Sequence, residues 1–172
     1  MAGELDAERT TAAASGDDLT GDLVVLAVWY PVTKEVVSQY GDALAGKVVI
    51  DISNPVNVET FDGLVTPPDS SAAEELAKLG PAGAQVVKAF NTTFAGTLLE
   101  AQVAGQPLDV LIAGDDAEAK SRVSQFVEDA GLRPIDVGPL RRARELEALG
   151  FLHMALQPAF GGTYQTTVKV LS

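Results

Sequence analysis

From Leu23 onward, short apolar runs alternate with segments in which apolar residues recur every third or fourth position. The runs are "LVVLAV" (23–28), "KVVIDI" (47–52), "QVVKAF" (85–90), "LDVLIAG" (108–114) and "RPIDVG" (133–138). Each leads into a helical pattern: "TKEVVSQYGDAL", then "SSAAEELAKLG" beyond a Pro-rich loop, a short stretch near 94–101, "DDAEAKSRVSQFVEDAG" and "PLRRARELEALGFLHMALQ". Val24 to Val28, Val48 to Ile52 and Val110 to Ala113 read as near-continuous apolar runs, as required when helices cover both faces of a parallel sheet. The predicted fold class is α/β, a doubly wound parallel sheet of five strands, each followed by a helix.

Local chemistry marks the boundaries. Ser71 with Glu74, and Asp115 with Glu118, have the spacing of a helix N-cap and its third residue, so helices are expected to start there. Gly80 and Gly131 stand where a left-handed residue would end the same helices, and Pro31 and Pro139 suit a first helical position that needs no amide donor. Residues 1–21 are small, polar and acidic and read as a flexible arm, residues 22–158 as the α/β domain, and 159–172 as a tail. In that tail Val168, Val170 and the threonines at 163, 166 and 167 predict a possible last strand.

Composition narrows the function. A chain of 172 residues suits one domain with a sizeable core, and no run approaches the roughly 18 apolar residues that cross a bilayer. Twenty-four acidic against 12 basic residues give a net charge of −12, which disfavours nucleic acid and anionic membrane as partners. The absence of cysteine excludes disulfides, thiolate catalysis and Cys-zinc sites, and the first residues lack a basic then apolar leader, so a cytoplasmic location is expected.

Ligands of open parallel sheets bind beyond the carboxyl ends of the strands. Those ends read "AVWYP" (27–31), "DISNPVN" (51–57), "AFNTTF" (89–94), "AGDD" (113–116) and "DVGPL" (136–140). Asn54 and Asn91 offer a donor and an acceptor each and could meet a nicotinamide or flavin-type ring edge, but for either alone the favoured role is structural, Asn54 building a turn before Pro55 and Asn91 capping a helix. Trp29 and Tyr30 provide flat surface for stacking on a ring or for packing under a helix. His153, the sole histidine, is the default proton carrier, but it shares a helical face with Leu146, Leu149 and Leu156, which favours a packing role. Helix capping explains Asp115 and Asp116 better than metal or acid–base work, and no metal-ligand cluster is visible. Arg141 to Arg144, followed by Glu145 and Glu147, read as a solvated, charge-paired helix face rather than a phosphate site. There is no Gly-x-Ser-x-Gly elbow, and no Gly-x-Gly pair at all, so neither the dinucleotide fingerprint nor a P-loop is present in its usual form.

Taken in order, "LAVWYP", "VVIDISNPVN", "SSAAEELAKL", "VVKAFNTTFAGTL", "LDVLIAGDDAEAK" and "DAGLRPIDVGPLRRARELEALGFLH" resemble the NADPH-dependent coenzyme F420 reductase family over about residues 12 to 157. "KAFNTTFAG" and "GPLRRARELE" are the most distinctive segments. The wider group with this domain includes the cytosolic reductase domain of the STEAP ferric reductases.

The resemblance implies a Rossmann-like sheet and hydride transfer between NADP and a deazaflavin (coenzyme F420) or flavin. Ala27, Val28, Trp29, Tyr30, Pro31, Asn54, Pro55, Ala89, Phe90 and Asn91 would then seat the nicotinamide, with Thr92 and His153 on the substrate side. No catalytic residue is assigned, since the two cofactors hold the reacting carbons. Trp29 stands where the family usually has proline. The family's opening strand, Gly-rich turn, helix and second strand have no counterpart, so the sheet is expected to be truncated in its N-terminal half, with residues 1–21 matching only the third-strand region. That leaves "LVVLAV" with an open edge, expected to be covered by a homodimer partner, by the N-terminal arm or by "TTVKV", or else to make the chain poorly soluble, and cofactor binding is expected to be impaired without the phosphate-binding unit. Two further readings stay open: a non-catalytic dimerising α/β remnant, and a small-ligand binding module.

Overall fold

The chain is described by a computed structural model over residues 10–171; the first nine residues of the expected arm and Ser172 lie outside the described residues. Among the described residues β1 (Leu23–Leu26), β2 (Val48–Asp51), β3 (Gln85–Lys88), β6 (Asp109–Gly114) and β7 (Arg133–Gly138) lie side by side, in that order, in one sheet. Helices α1 (Tyr30–Tyr40) and α2 (Ala72–Leu79) make the two crossovers between β1, β2 and β3, which are parallel. All five expected strands form, and the fold is Rossmann-like α/β.

One step departs from the expected all-parallel sheet. Helix α3 (Ala95–Glu100) is short, and a small hairpin, β4 (Gln102–Val103) with β5 (Gln106–Pro107), turns the chain so that β6 enters antiparallel to β3. Ala101 and Ala104 take positive φ of 55° and 52° around that reversal, a conformation that alanine rarely adopts and that sequence pattern does not announce. β7 pairs parallel to β6. The ends "AGDD" and "DVGPL" therefore lie at the opposite end of the sheet from those of β1, β2 and β3, and the expected single row of five strand ends is corrected to three.

Two faces are covered. Val48, Ile50, Val87, Val110 and Ile112 pack under Ala119, Val123 and Val127 of α4 (Ala117–Asp129). On the other face Leu26, Val49 and Val86 meet Val37 of α1, Ala73 and Leu76 of α2 and Ala143 of α5 (Ala143–Ala155). The caps follow the predicted chemistry with shifts. Ser71 caps α2, accepting from the Glu74 amide at 3.1 Å, but α4 is capped by Asp116 and not Asp115, which instead accepts from the Leu140 amide at 2.9 Å. Gly131 is left-handed after α4, whereas Gly80 ends α2 in an extended conformation. Among its described residues the tail forms no strand: Lys169 and the Val170 amide bind Asp109, which also takes a two-point contact from Arg133.

That placement answers the edge question in part. β1 pairs with β2 alone among the described residues, Val25 is 43% exposed, and neither residues 10–21 nor "TTVKV" adds a strand to it. The described part of the arm is tied elsewhere, through the Gly16 amide to the Tyr40 hydroxyl and the Gly21 carbonyl to Lys47.

The layers are joined by buried charge. Lys88 Nζ, fully buried at the end of β3, lies 2.8 Å from Asp51 Oδ2 of β2 and 2.8 Å from Glu147 Oε1 of α5. Glu147 Oε2 accepts from the Ala72 amide at 2.9 Å, placing negative charge at the amino end of α2. The expected solvated face of α5 is thus corrected at Glu147, which is wholly buried, while Arg142 pairs with Glu145 and Arg144 grips Glu74 with two contacts.

These ion pairs make stability testable at two sites. Lys88→Met strands two buried carboxylates and is expected to cost about 3–5 kcal/mol in urea unfolding; Glu147→Gln, which keeps one of the two acceptor oxygens and leaves Lys88 paired with Asp51, should cost less. A loss for Lys88→Met below that of Glu147→Gln would refute the role of the lysine. Burial alone would raise the Asp109 carboxyl, but hydrogen bonds from Arg133, Lys169 and the Val170 amide outweigh it and bring its pKa from 3.8 to about 2. A depressed carboxyl stabilises the fold above its unfolded pKa and loses that contribution as pH falls through the folded value, here on the order of 2 kcal/mol. Asp109→Asn should therefore lower the melting temperature at pH 7, and the gap from the parent chain should close as pH is lowered from 4 towards 2.

Candidate cofactor crevice

The three parallel strands deliver their ends to one side of the molecule, where a crevice of about 290 Å³ opens. Ala27, Val28, Trp29 and Tyr30 form one wall, Ile52, Ser53 and Asn54 the floor, and Val56, Phe61 and Met154 the far side. Trp29 is 67% exposed because it sits at the N-cap of α1, with Pro31 in the first turn turning the chain away. Tyr30 is buried, and Lys34 lies over its ring at 4.7 Å. The crevice itself is lined by no charged side chain.

Of the sequence-predicted residues, Ala27, Val28, Trp29, Tyr30 and Asn54 line this space together. Pro31 is exposed on α1 and Pro55 is buried beneath the following loop, its carbonyl accepting from the Val65 amide at 2.7 Å. Ala89 lies in the core. Phe90 faces a second, nearly wholly apolar cavity of about 370 Å³ with Val25, Leu98, Phe126 and Leu132, which shares Ala27 and Ile52 with the first. Its φ of 62° is a left-handed conformation that costs a bulky residue roughly 1–2 kcal/mol. Thr93 closes that turn by donating its amide and hydroxyl to the Phe90 carbonyl, and Phe126 meets the Phe90 ring edge-on at 6.3 Å.

The two asparagines do come together, though chiefly with each other. Asn54 Nδ2 donates to the Asn91 carbonyl at 2.8 Å, and Asn91 Nδ2 donates to Asn54 Oδ1 at 2.9 Å and to the Leu146 carbonyl at 2.8 Å. Their amide donors thus fasten α5 to the strand ends. Gly150 is required there, since a Cβ would lie 2.6 Å from Asn54 Oδ1 and 2.9 Å from the Asn91 carbonyl.

Thr92 and His153 meet behind this layer. His153 Nδ1 lies 3.2 Å from the Thr92 carbonyl and Nε2 lies 2.8 Å from the Thr166 hydroxyl, with Phe94 stacked at 4.4 Å. Burial pushes the imidazole below its usual range, partly opposed by the Thr92 carbonyl. Both residues are about 5% exposed or less, and the tail crosses them through Thr166.

The residue that pattern reading passed over is Ser53. Its amide donates to Asp51 Oδ1 at 2.9 Å and its carbonyl accepts from Lys88 Nζ at 2.5 Å, so the buried charges fix its backbone. Burial pushes the Glu147 carboxyl of that cluster up, opposed by Lys88. A lysine and an aspartate inside apolar runs, "QVVKAF" and "VVIDI", were the available signal. Among the described residues no three His, Asp or Glu side chains converge as a metal would require, and no helix is long and apolar enough to cross a membrane.

No family model matches the chain. It is 44% identical over 108 residues to metalloreductase STEAP3 of Rattus norvegicus, a match that covers 63% of this chain and 21% of that protein. It is 33% identical over 133 residues to the F420-dependent NADP reductase of Methanocaldococcus jannaschii, covering 75% of this chain and 59% of the relative. The chain therefore spans less than two-thirds of the length of either. A crystal structure from Arthrobacter sp. FB24, provisionally described as an F420-dependent NADP-reductase, superposes with a TM-score of 0.85 at 29% identity, covering 93% of this chain and 74% of that one. By shared fold and by sequence along its length, the chain belongs to the F420-dependent NADP reductase family.

Proposed function

We propose that the crevice at the ends of β1 and β2 seats the nicotinamide of NADP for hydride exchange with a second ring, a deazaflavin such as F420 or a flavin. The observation that carries the reading is the crevice itself: apolar walls, Trp29 at its lip and the Ser53–Asn54 turn as its polar floor. At about 290 Å³ it stands at the small end of ligand cavities and fits one flat ring better than a whole dinucleotide. With no lysine or arginine in its lining, it offers nothing to a diphosphate. When bound, the nicotinamide supplies the hydride chemistry; the protein supplies position and a dry wall on one face of the ring.

Trp29 is the only tryptophan, which makes the reading testable without labelling. Binding of NADPH should quench its emission by energy transfer to the dihydronicotinamide and saturate with a Kd below about 1 mM, a binding free energy near −4 kcal/mol. Titration without saturable quenching, with no change in NADPH fluorescence, would leave the non-catalytic module as the better account.

Pairing of two copies along β1 belongs to the same reading, because its backbone edge is free among the described residues and Val25 is half-exposed beside it. Light scattering should then give twice the chain mass, and Val25→Lys should shift the population to monomer. A parent chain that stays monomeric at high concentration would refute the pairing.

A further inference from the structure

Between residues 163 and 171 the tail has no helix or strand, and side chains hold it to the domain at two points. The far pin is Asp109, which takes Lys169 Nζ at 2.5 Å and the Val170 amide at 2.8 Å. The near pin is Thr166, whose hydroxyl lies 2.8 Å from His153 Nε2 and 2.7 Å from Gln157 Nε2. Every proton of the near pin can be placed, because backbone carbonyls stand at both ends of it and can only accept. The Thr92 carbonyl, 3.2 Å from Nδ1, requires the imidazole to carry its proton there, which leaves Nε2 a bare acceptor. The His153 carbonyl accepts from Gln157 Nε2 at 2.9 Å, so the Gln157 amide cannot turn round, and its other N–H goes to the Thr166 oxygen. Gln157 Oε1, buried without a partner, is the cost of that orientation. Thr166 then has one direction left for its own proton, toward Nε2. The pin is therefore built for a neutral imidazole.

We propose that the tail is a proton-released strap: neutral His153 holds it down through Thr166, and protonation at Nε2 frees residues 163–167 while Asp109 keeps the far end attached. A proton on Nε2 meets the Thr166 hydroxyl proton head-on, and turning the hydroxyl away forfeits the one bond it donates. The charge carries the larger penalty. His153 is 5% exposed, and the groups around its ring are Thr92 and Phe94 from the loop after β3, Thr166 from the tail and Gln157 beyond α5, none of them charged. Tyr164 joins this shell only through Phe94, which it meets edge-on at 5.1 Å. Phe94 attracts a cation but supplies no counter-charge. Burial is accordingly the main influence on the titration of the ring and holds it below its usual range, with the Thr92 carbonyl opposing. An imidazolium there regains its hydration only when water enters, and the chain with least to hold it in place is the tail. The far pin answers to a different pH, since the Asp109 carboxyl is brought down to about 2. Between that value and the histidine range one pin opens and the other stays closed. What opens is the face of α5 that carries His153, one residue along from the Met154 wall of the crevice. None of this depends on which ring the crevice seats.

His153 is the sole histidine, so NMR of the full chain reads its titration without ambiguity between about pH 7.5 and about pH 4.5. Its ring signals should titrate with a midpoint below the usual histidine value of about 6.5. The backbone 15N heteronuclear NOEs of Tyr164 to Thr167 should fall with that same midpoint, while those of Lys169 and Val170 persist. Thr166→Val keeps the side-chain shape without the hydroxyl. Its tail should already be mobile at the upper pH and change no further on acidification, and its histidine midpoint should shift up toward 6.5 as water reaches the ring. Tail NOEs that stay level through the imidazole titration overturn the proposal. So does a loosening whose midpoint differs from that of the histidine, or a histidine still neutral at the lower pH. A Thr166→Val tail as ordered as the parent's overturns it as well, because Thr166 is then not the pin.

Discussion

One buried lysine holds the parts of this molecule in register. Lys88 ends β3 inside the protein, reaches Asp51 on β2 and Glu147 on α5, and through Glu147 faces the amino end of α2. Burying three ionised groups carries a heavy desolvation cost, which favours the fold only when each remaining lone pair and proton is bonded. Here the excess negative charge of two carboxylates against one ammonium is met by the Ala72 and Ala73 amides at the positive end of α2. Apolar packing would tolerate α2 and α5 sliding by a fraction of a turn; this network does not. It also fixes the Ser53 backbone, so the same charges that join the layers define the floor of the crevice.

The antiparallel entry of β6 decides how many strand ends that crevice can use. A sheet of five parallel strands would bring "AGDD" and "DVGPL" to the same end as "AVWYP", with Asp115 and Asp116 near any ligand. Because the hairpin after α3 reverses the chain, those acids cap α4 and hold Leu140 at the other end of the sheet. The start of β6 comes to the crevice end instead, and there Asp109 anchors the tail that crosses His153. A single reversal thus takes Asp115 and Asp116 away from the crevice.

The strands and long helices were legible because burial on two faces demands continuous apolar runs, and runs such as "LVVL" and "DVLIAG" have no other comfortable home. The Ser71 cap was legible because its geometry is local. The reversal at β4 and β5 was not: it depends on Ala101 and Ala104 adopting left-handed backbone, for which alanine carries no signal. The crevice was legible only in part, since Ala27, Val28, Trp29, Tyr30 and Asn54 line it while Pro31, Pro55, Ala89, Phe90 and Asn91 do not. Asn54 and Asn91 have the chemistry of ring-binding groups, and only their mutual distance shows that they serve α5 first. Glu147 looked solvated because its neighbours in "RRARELE" are charged, while one turn of helix separates a surface pair such as Arg142 and Glu145 from the interior. Ser53 was silent, since a serine before Asn-Pro is common in turns.

Three local costs lie at one end of the sheet: Phe90 is left-handed, the Ser53 hydroxyl is buried and unpaired, and Trp29 is two-thirds exposed. Comparable costs fall elsewhere too, since Ala101, Ala104 and Tyr164 are left-handed, Gln157 Oε1 is buried without a partner and Leu99 is 89% exposed. A fold with a few kcal/mol to spare can carry such costs. Glu147 and Lys88 lie behind the Ser53 carbonyl and hold it, so any group that meets the turn lining the crevice meets a backbone that cannot shift without breaking the buried ion pairs.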